Sequence, residues 1–289
     1  MDWLVLMIVL MPFVAYIYVN KVMNEPPGGS YKTSYEGLTP SGISIKGRQE
    51  EIKQLLENES YFFRSLIPDQ KTDFIERVIR FNSSTSFYNS PGIELTERHI
   101  ILVSSTFVQL TFGLRRSLLD HFNHIQLFPA HYKNKKTHLF HKGEVDISGL
   151  ISLSWEDYEI GNSDPHDGRN VGLHEMAHAF AIEIIESDLN YHHLILRLKP
   201  IFLRARFEIN NPYQRPNLLR GYGYSNMHEY FAVATEVFFE SPEHMASIHP
   251  ALYVDMAKLF HQDILTQYRQ YELRLSNIQK PNATQLPPV

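Results

Sequence analysis

The chain has 289 residues, enough for a substantial core in one large domain or two small ones. Its formal net charge of −5 and pI near 6.3 give no general case for nucleic-acid binding. It has no cysteine, which excludes disulfides and thiolate ligands and leaves His, Asp and Glu to hold any metal.

The first informative segment is the N-terminus. Trp3 to Val19 is 17 residues without a charge, apolar throughout except at Pro12. As a helix rising 1.5 Å per residue it spans about 26 Å, near the lower limit for crossing a bilayer. Tyr16 and Tyr18 near its end suit a membrane interface. A cleaved signal peptide is the rival, but Asp2 sits where a basic region belongs, and residues 17–25 offer no small-x-small site. The expectation is an uncleaved transmembrane anchor over residues 1–22 that fixes the protein in the cell membrane, single-pass. Lys21 and Lys32 follow the run, which puts the remainder of the chain in the cytoplasm. Residues 23–46, with Pro26, Pro27, Gly28, Gly29, Gly37, Pro40 and Gly42 among serines, threonines and tyrosines, read as a linker.

Helical periodicity begins next. An amphipathic helix is expected from Arg48 to Glu57. Pro68-Asp69 opens a second, whose apolar face is Phe74, Ile75, Val78, Ile79 and Phe81. A third runs from about Thr96 through Leu119. A β-rich stretch follows: Ile125 to Phe128, His138 to Ile147 around Gly143, and Leu150 to Trp155 (LISLSW), which alternates cleanly. The edge of LISLSW is a candidate for holding an extended peptide by strand addition, against the plainer role of a core strand. Helices return from about Asn170 to Ser276, and residues 278–289, with three prolines, read as a disordered tail. Strands gathered in one stretch with helices on both sides predict an α+β domain over 47–277, mainly helical with a small sheet.

Inside the apolar run Val171–Ile185 lies His174-Glu175-Met176-Ala177-His178, an H-E-x-x-H string. At helical spacing the two imidazoles stack on one face and can share a metal ion, with Glu175 beside them. In a chain with 15 histidines such a string can arise by chance. The flanks argue otherwise. A helix apolar on nearly all sides is buried, and two histidines and a glutamate inside it cost several kcal/mol unless paired. A metal ion removes that cost, and a full set of hydrogen bonds could too.

A catalytic zinc takes three protein ligands and keeps one position open. The third candidate is Glu229, on a second apolar helix over 226–239. Asn226-x-x-Glu229 also has capping-box spacing, so Glu229 could merely cap its own helix. Two carboxylates on one apolar helix, in a chain that lacks a ligand, favour ligation. Glu236, two turns on, shares the face and would hold an imidazole N–H of a ligand histidine; its plainer role is partner to a buried arginine. Ala232 between them allows close approach of another helix. His138, His141, His192, His193, His244 and His249 read as surface or hydrogen-bonded histidines, and His228 points about 100° away from Glu229.

NVGLHEMAH (170–178), with LISLSW and Asp167-Gly168 before it, resembles the Mlc-titration-factor-A-like zinc peptidases of bacteria. So do Glu229-Tyr-Phe-Ala-Val-x-x-Glu236-x-Phe-Phe and Ser241-Pro242-Glu243, and upstream Leu66-Ile67-Pro68-Asp69 and Ile125-Gln-Leu-Phe-Pro-Ala130. The likeness covers most of residues 60–265. It implies a zincin-like fold, His174, His178 and Glu229 as zinc ligands, and Glu175 as base. It also implies a tyrosine seven residues before the ligand glutamate that assists the transition state. That position is Tyr222, with Tyr224 its neighbour. Where family members often have Leu-Asp after the motif, this chain has Ala179-Phe180-Ala181.

The expected function is that of a zinc-dependent metallopeptidase acting on a peptide or protein substrate, with Glu175 as general base. The family's name supplies the alternative, a zinc-containing regulatory protein that sequesters a transcription regulator, with hydrolysis incidental. The anchor carries its own test. Full-length protein should fractionate with membranes and resist carbonate extraction, while a fragment beginning near Gly47 should be soluble; intact full-length protein in the soluble fraction would refute it.

Overall fold

The computed structural model describes residues 35–114, 120–134, 138–186 and 191–279. The expected anchor, the first half of the linker and the proline-bearing tail lie outside these residues. No helix among the described residues is long and apolar enough to cross a membrane.

Three helices open the chain: α1 (Gln49–Glu59), α2 (Tyr61–Ser65) and α3 (Pro68–Ser84). The Ser60 hydroxyl accepts from the Phe63 N–H to start α2. Pro68 starts α3 at the one turn where a missing N–H costs nothing. The end of the expected linker is docked on this layer. Ile45 is fully buried, with its N–H on Asn82 Oδ1 (3.2 Å).

Strand β1 (Ser86–Asn89) is followed by α4 (Glu97–Thr111). The helix ends at Thr111, before the Leu119 that periodicity predicts. Gly113 follows, pressed on the backbone where a later helix ends; a Cβ there would sit 2.5 Å from Phe260 O. Strands β2 (His124–Phe128), β3 (Tyr132–Lys133), β4 (Phe140–His141), β5 (Gly143–Asp146) and β6 (Leu150–Ser154) come next. The main sheet has the order β1-β2-β6-β5; β1, β2 and β6 are parallel and β5 runs antiparallel to β6. β3 and β4 form a separate two-stranded hairpin.

This order corrects the reading of LISLSW. The strand is interior, with Ile151 opposite Ile125 on one side and Val145 on the other, so it has no edge to offer a peptide. All five of its residues are buried, because both faces are covered. The edge on this side of the sheet belongs to β5. Trp155 leaves the strand and begins α5 (Trp155–Ser163), capped by Ser154.

The remaining helices are α6 (Val171–Glu186), α7 (His192–Asn210), α8 (Met227–Glu240), α9 (Pro242–Ile248), α10 (Pro250–Phe260) and α11 (Ile264–Gln279). α6 is the central element, packed against α4, α5, α7, α8 and strands β5 and β6. Phe231 of α8 is fully buried among Phe180, Phe202 and Phe260, with ring centroids 6.2–6.5 Å away. Phe231→Ala should lower the unfolding free energy by about 3–5 kcal/mol through the cavity it leaves. Urea denaturation checks this as a fallen midpoint at unchanged slope.

Candidate metal centre

The centre is assembled from two helices. On α6, His174 and His178 stack one turn apart, their Nε2 atoms 3.1 Å from each other. From α8, Glu229 brings Oε2 to 3.1 Å from His174 Nε2 and Oε1 to 3.4 Å from His178 Nε2. The Asn226 side chain caps α8, accepting from the N–H groups of His228 and Glu229, so the Glu229 carboxylate goes to the imidazoles rather than to its own helix end. Ligand atoms of the three residues all lie within 4.8 Å of one another. A tetrahedral ion such as zinc, with bonds of about 2.1 Å, spaces its ligand atoms roughly 3.4 Å apart. The donor set therefore fits such an ion in both chemistry and spacing.

Behind the imidazoles, Glu236 contacts both a histidine and an arginine. Its Oε1 accepts from His174 Nδ1 (2.6 Å), which fixes the tautomer and leaves Nε2 free to bind a metal. Arg220 makes a two-pronged pair with the same carboxylate (2.6 and 3.0 Å) and also donates to Gly168 O. Glu236 Oε2 accepts from the Asn170 N–H (2.7 Å). One turn further along α8, Glu240 accepts from Arg169 N–H (2.9 Å) and Asn170 Nδ2 (3.0 Å). Asn170 Oδ1 in turn accepts from Leu173 N–H and caps α6. Two side chains of α8 thus hold the N-terminus of α6 by accepting hydrogen bonds from Arg169 and Asn170.

Glu175 lies beside the ligands, 7% exposed, and burial pushes its carboxyl up. The backbone of β5 passes against it. A Cβ on Gly143 would lie 2.5 Å from Glu175 Oε1, so a larger residue there would displace the Glu175 side chain. A cleft of about 790 Å³ opens over the centre, lined in part by Gly143, His174, Glu175 and Tyr222. The Tyr222 ring stands 6.3 Å from that of His174, and burial, then the charge of Glu229, pushes its phenol up to about 12. Its hydroxyl keeps its proton at neutral pH and can donate. Tyr224 is turned away, its hydroxyl donating to Pro216 O and its ring under Arg215.

His228 packs edge-on against Phe202, and His249 pairs with Glu208 (2.8 Å). Among the described residues, the group that could hold a metal is His174, His178 and Glu229. Four residues that matter here were not singled out from sequence: Gly143 as a contact, Asn170, Arg220 and Glu240. The signals were an N-cap residue type directly before an apolar helical run, and a third glutamate four residues after Glu236.

Residues 43–261 match the family described as glucose-regulated metallo-peptidase M90. The chain is 26% identical to Mlc titration factor A of Serratia proteamaculans (strain 568) over 215 residues, 68% of this chain and 79% of that protein. It is 25% identical to the protein of the same name from Klebsiella pneumoniae (strain 342) over 228 residues, 72% and 85% of the two chains. The Escherichia fergusonii protein gives 25% over 227 residues, again 72% and 85%.

Burial raises the Glu240 carboxyl from its ordinary 4.5 to about 8. Between these values the native state holds a proton that the unfolded state has lost. Stability contributed by the protonated form is therefore fully present below about 4.5 and is lost as pH rises toward 8, by up to about 1.4 kcal/mol per pH unit. Glu240→Gln should flatten this part of the profile, read as urea midpoints across pH 5–8.

Proposed function

This chain belongs to the glucose-regulated metallo-peptidase family M90, and we propose that it is a zinc-dependent peptidase whose centre is His174, His178 and Glu229. The observation that carries the reading is the spacing of their ligand atoms, 3.1–3.4 Å, on two helices that also supply a buried base. When bound there, zinc would supply the Lewis acidity that brings a water molecule's pKa toward neutrality.

The chain's own residues do the rest. Glu175 takes a proton from water in the cleft and later delivers it to the leaving amine; its raised affinity for protons suits both transfers. Tyr222, protonated at neutral pH, donates to the oxyanion that develops on the attacked carbonyl. Glu236 holds His174 in one tautomer, and Arg220 holds Glu236. An extended substrate would lie along β5, the edge strand whose Gly143 touches Glu175. The uncharged run Trp3–Val19 supports placing the protein at the cell membrane, with this domain on the cytoplasmic side.

The name of the relatives, Mlc titration factor A, favours a second reading, in which the domain serves chiefly to bind a regulator protein. A binding module has no use for Glu175, and that separates the two. Glu175→Gln should keep zinc and thermal stability near wild type while peptide hydrolysis falls roughly 100-fold or more, the scale of a lost general base. Tyr222→Phe should cost less, about 10- to 100-fold. Glu229→Ala should lose metal outright, measured by elemental analysis of the purified protein. If Glu175→Gln loses zinc as badly as Glu229→Ala, Glu175 is structural. If it keeps both zinc and full hydrolysis, the binding reading takes over.

A further inference from the structure

Helix α7 has two faces of different character. Leu194, Leu198, Ile201, Phe202 and Ala205 point inward and are buried. On the opposite side Leu196, Leu203 and Phe207 are 52%, 39% and 52% exposed, and Pro200 is exposed between them. At 100° per residue these four lie within about 60° of arc, one continuous apolar stripe. Cations flank it on both sides. Arg197 and Arg204, seven residues apart, follow one border; Lys199 and Arg206, also seven apart, follow the other. The helix's only acid, Glu208, is turned inward and paired with His249. Arg204 also reaches Asp255 of α10 (3.0 Å), while among the described residues no carboxylate pairs with Lys199 or Arg206. In a chain of net charge −5 this cationic border is not a sample of the general surface.

We propose that the outer face of α7 rests on an anionic lipid surface, with Leu196, Leu203 and Phe207 at the acyl boundary and the flanking cations on headgroup phosphates. An apolar stripe with basic borders and no outward acid is the pattern of an interfacial helix. A second copy of the chain is a poor occupant. A two-fold contact through this face would set like charges against like. The uncharged run Trp3–Val19, read as an anchor, would hold the domain close to lipid, but the face has its own chemistry for the contact. Nothing in the proposal depends on the metal centre.

The absence of cysteine makes the test direct. Phe207→Cys gives the full chain a single thiol for a polarity-sensitive fluorophore, and Ser83→Cys, exposed on α3, gives the control. Each labelled protein is combined with vesicles of phosphatidylcholine, with or without phosphatidylglycerol, carrying brominated acyl chains. The label at 207 should be quenched on anionic vesicles and much less on neutral ones, and the label at 83 on neither. Adding Lys199→Gln and Arg206→Gln should weaken the contact about 25-fold, at roughly 5-fold for each cation removed. Equal quenching at 207 and 83 would overturn the proposal. So would a concentration-dependent shift at 207 without lipid, which would assign the face to a second copy. A label silent on vesicles but shifted by added soluble protein would give it to a protein partner instead.

Discussion

The buried carboxylate of Glu236 is the contact on which the centre depends. At 1% exposure its oxygens must find their hydrogen-bond partners inside the protein. It is held by the His174 ring of α6, the backbone of Asn170 at the start of that helix, and the Arg220 guanidinium from the segment before α8. Through His174 it sets which nitrogen faces the cleft. Through Asn170 it fixes where α6 begins, and through Arg220 and Gly168 it ties down the loop before that helix. Packing between Phe180 and Phe231 tolerates small slides of α6 along α8. Hydrogen bonds of 2.6–2.7 Å do not, so the polar contacts set the register and the apolar ones supply the burial.

That division explains the composition of the two helices. Ala177 and Ala232 are fully buried and leave room for close approach, while bulky rings gather on the side away from the ligands. The two imidazoles are thereby largely shut from water, with side chains 10% and 14% exposed. In such surroundings each charge–dipole contact is worth more than at the surface, and each unmade one costs more.

How much of this was legible in the sequence follows from how local each feature is. His174, Glu175 and His178 sit within five residues, so helix geometry alone brings them together. Glu229 lies 55 residues away, and only the chemistry of an incomplete ligand set pointed to it. LISLSW alternates cleanly, a pattern that suits a half-buried strand. Ser152 and Ser154 are in fact buried, and Ser154 satisfies its hydroxyl on Asp157. Strand order is a non-local property, and five residues cannot encode whether a strand is central. The β5 edge, Gly143's contact with Glu175 and the Arg220–Glu236 pair were hidden for the same reason. The outward stripe of α7 could have been counted on a helical wheel, but which face is outward needed α8 and α10 in place.

The meeting of Gly143 and Glu175 links two quantities that enzymologists usually separate. The strand that would grip a substrate along its outer edge leans on the carboxylate with its backbone. A shift of a few tenths of an ångström in that strand is therefore also a shift of the proton acceptor. Substrate affinity and turnover rate would then not be independently adjustable in this cleft: changes along β5 that alter how a peptide seats should move kcat and KM together, and natural or engineered variation in specificity would have to come from the walls of the cleft instead.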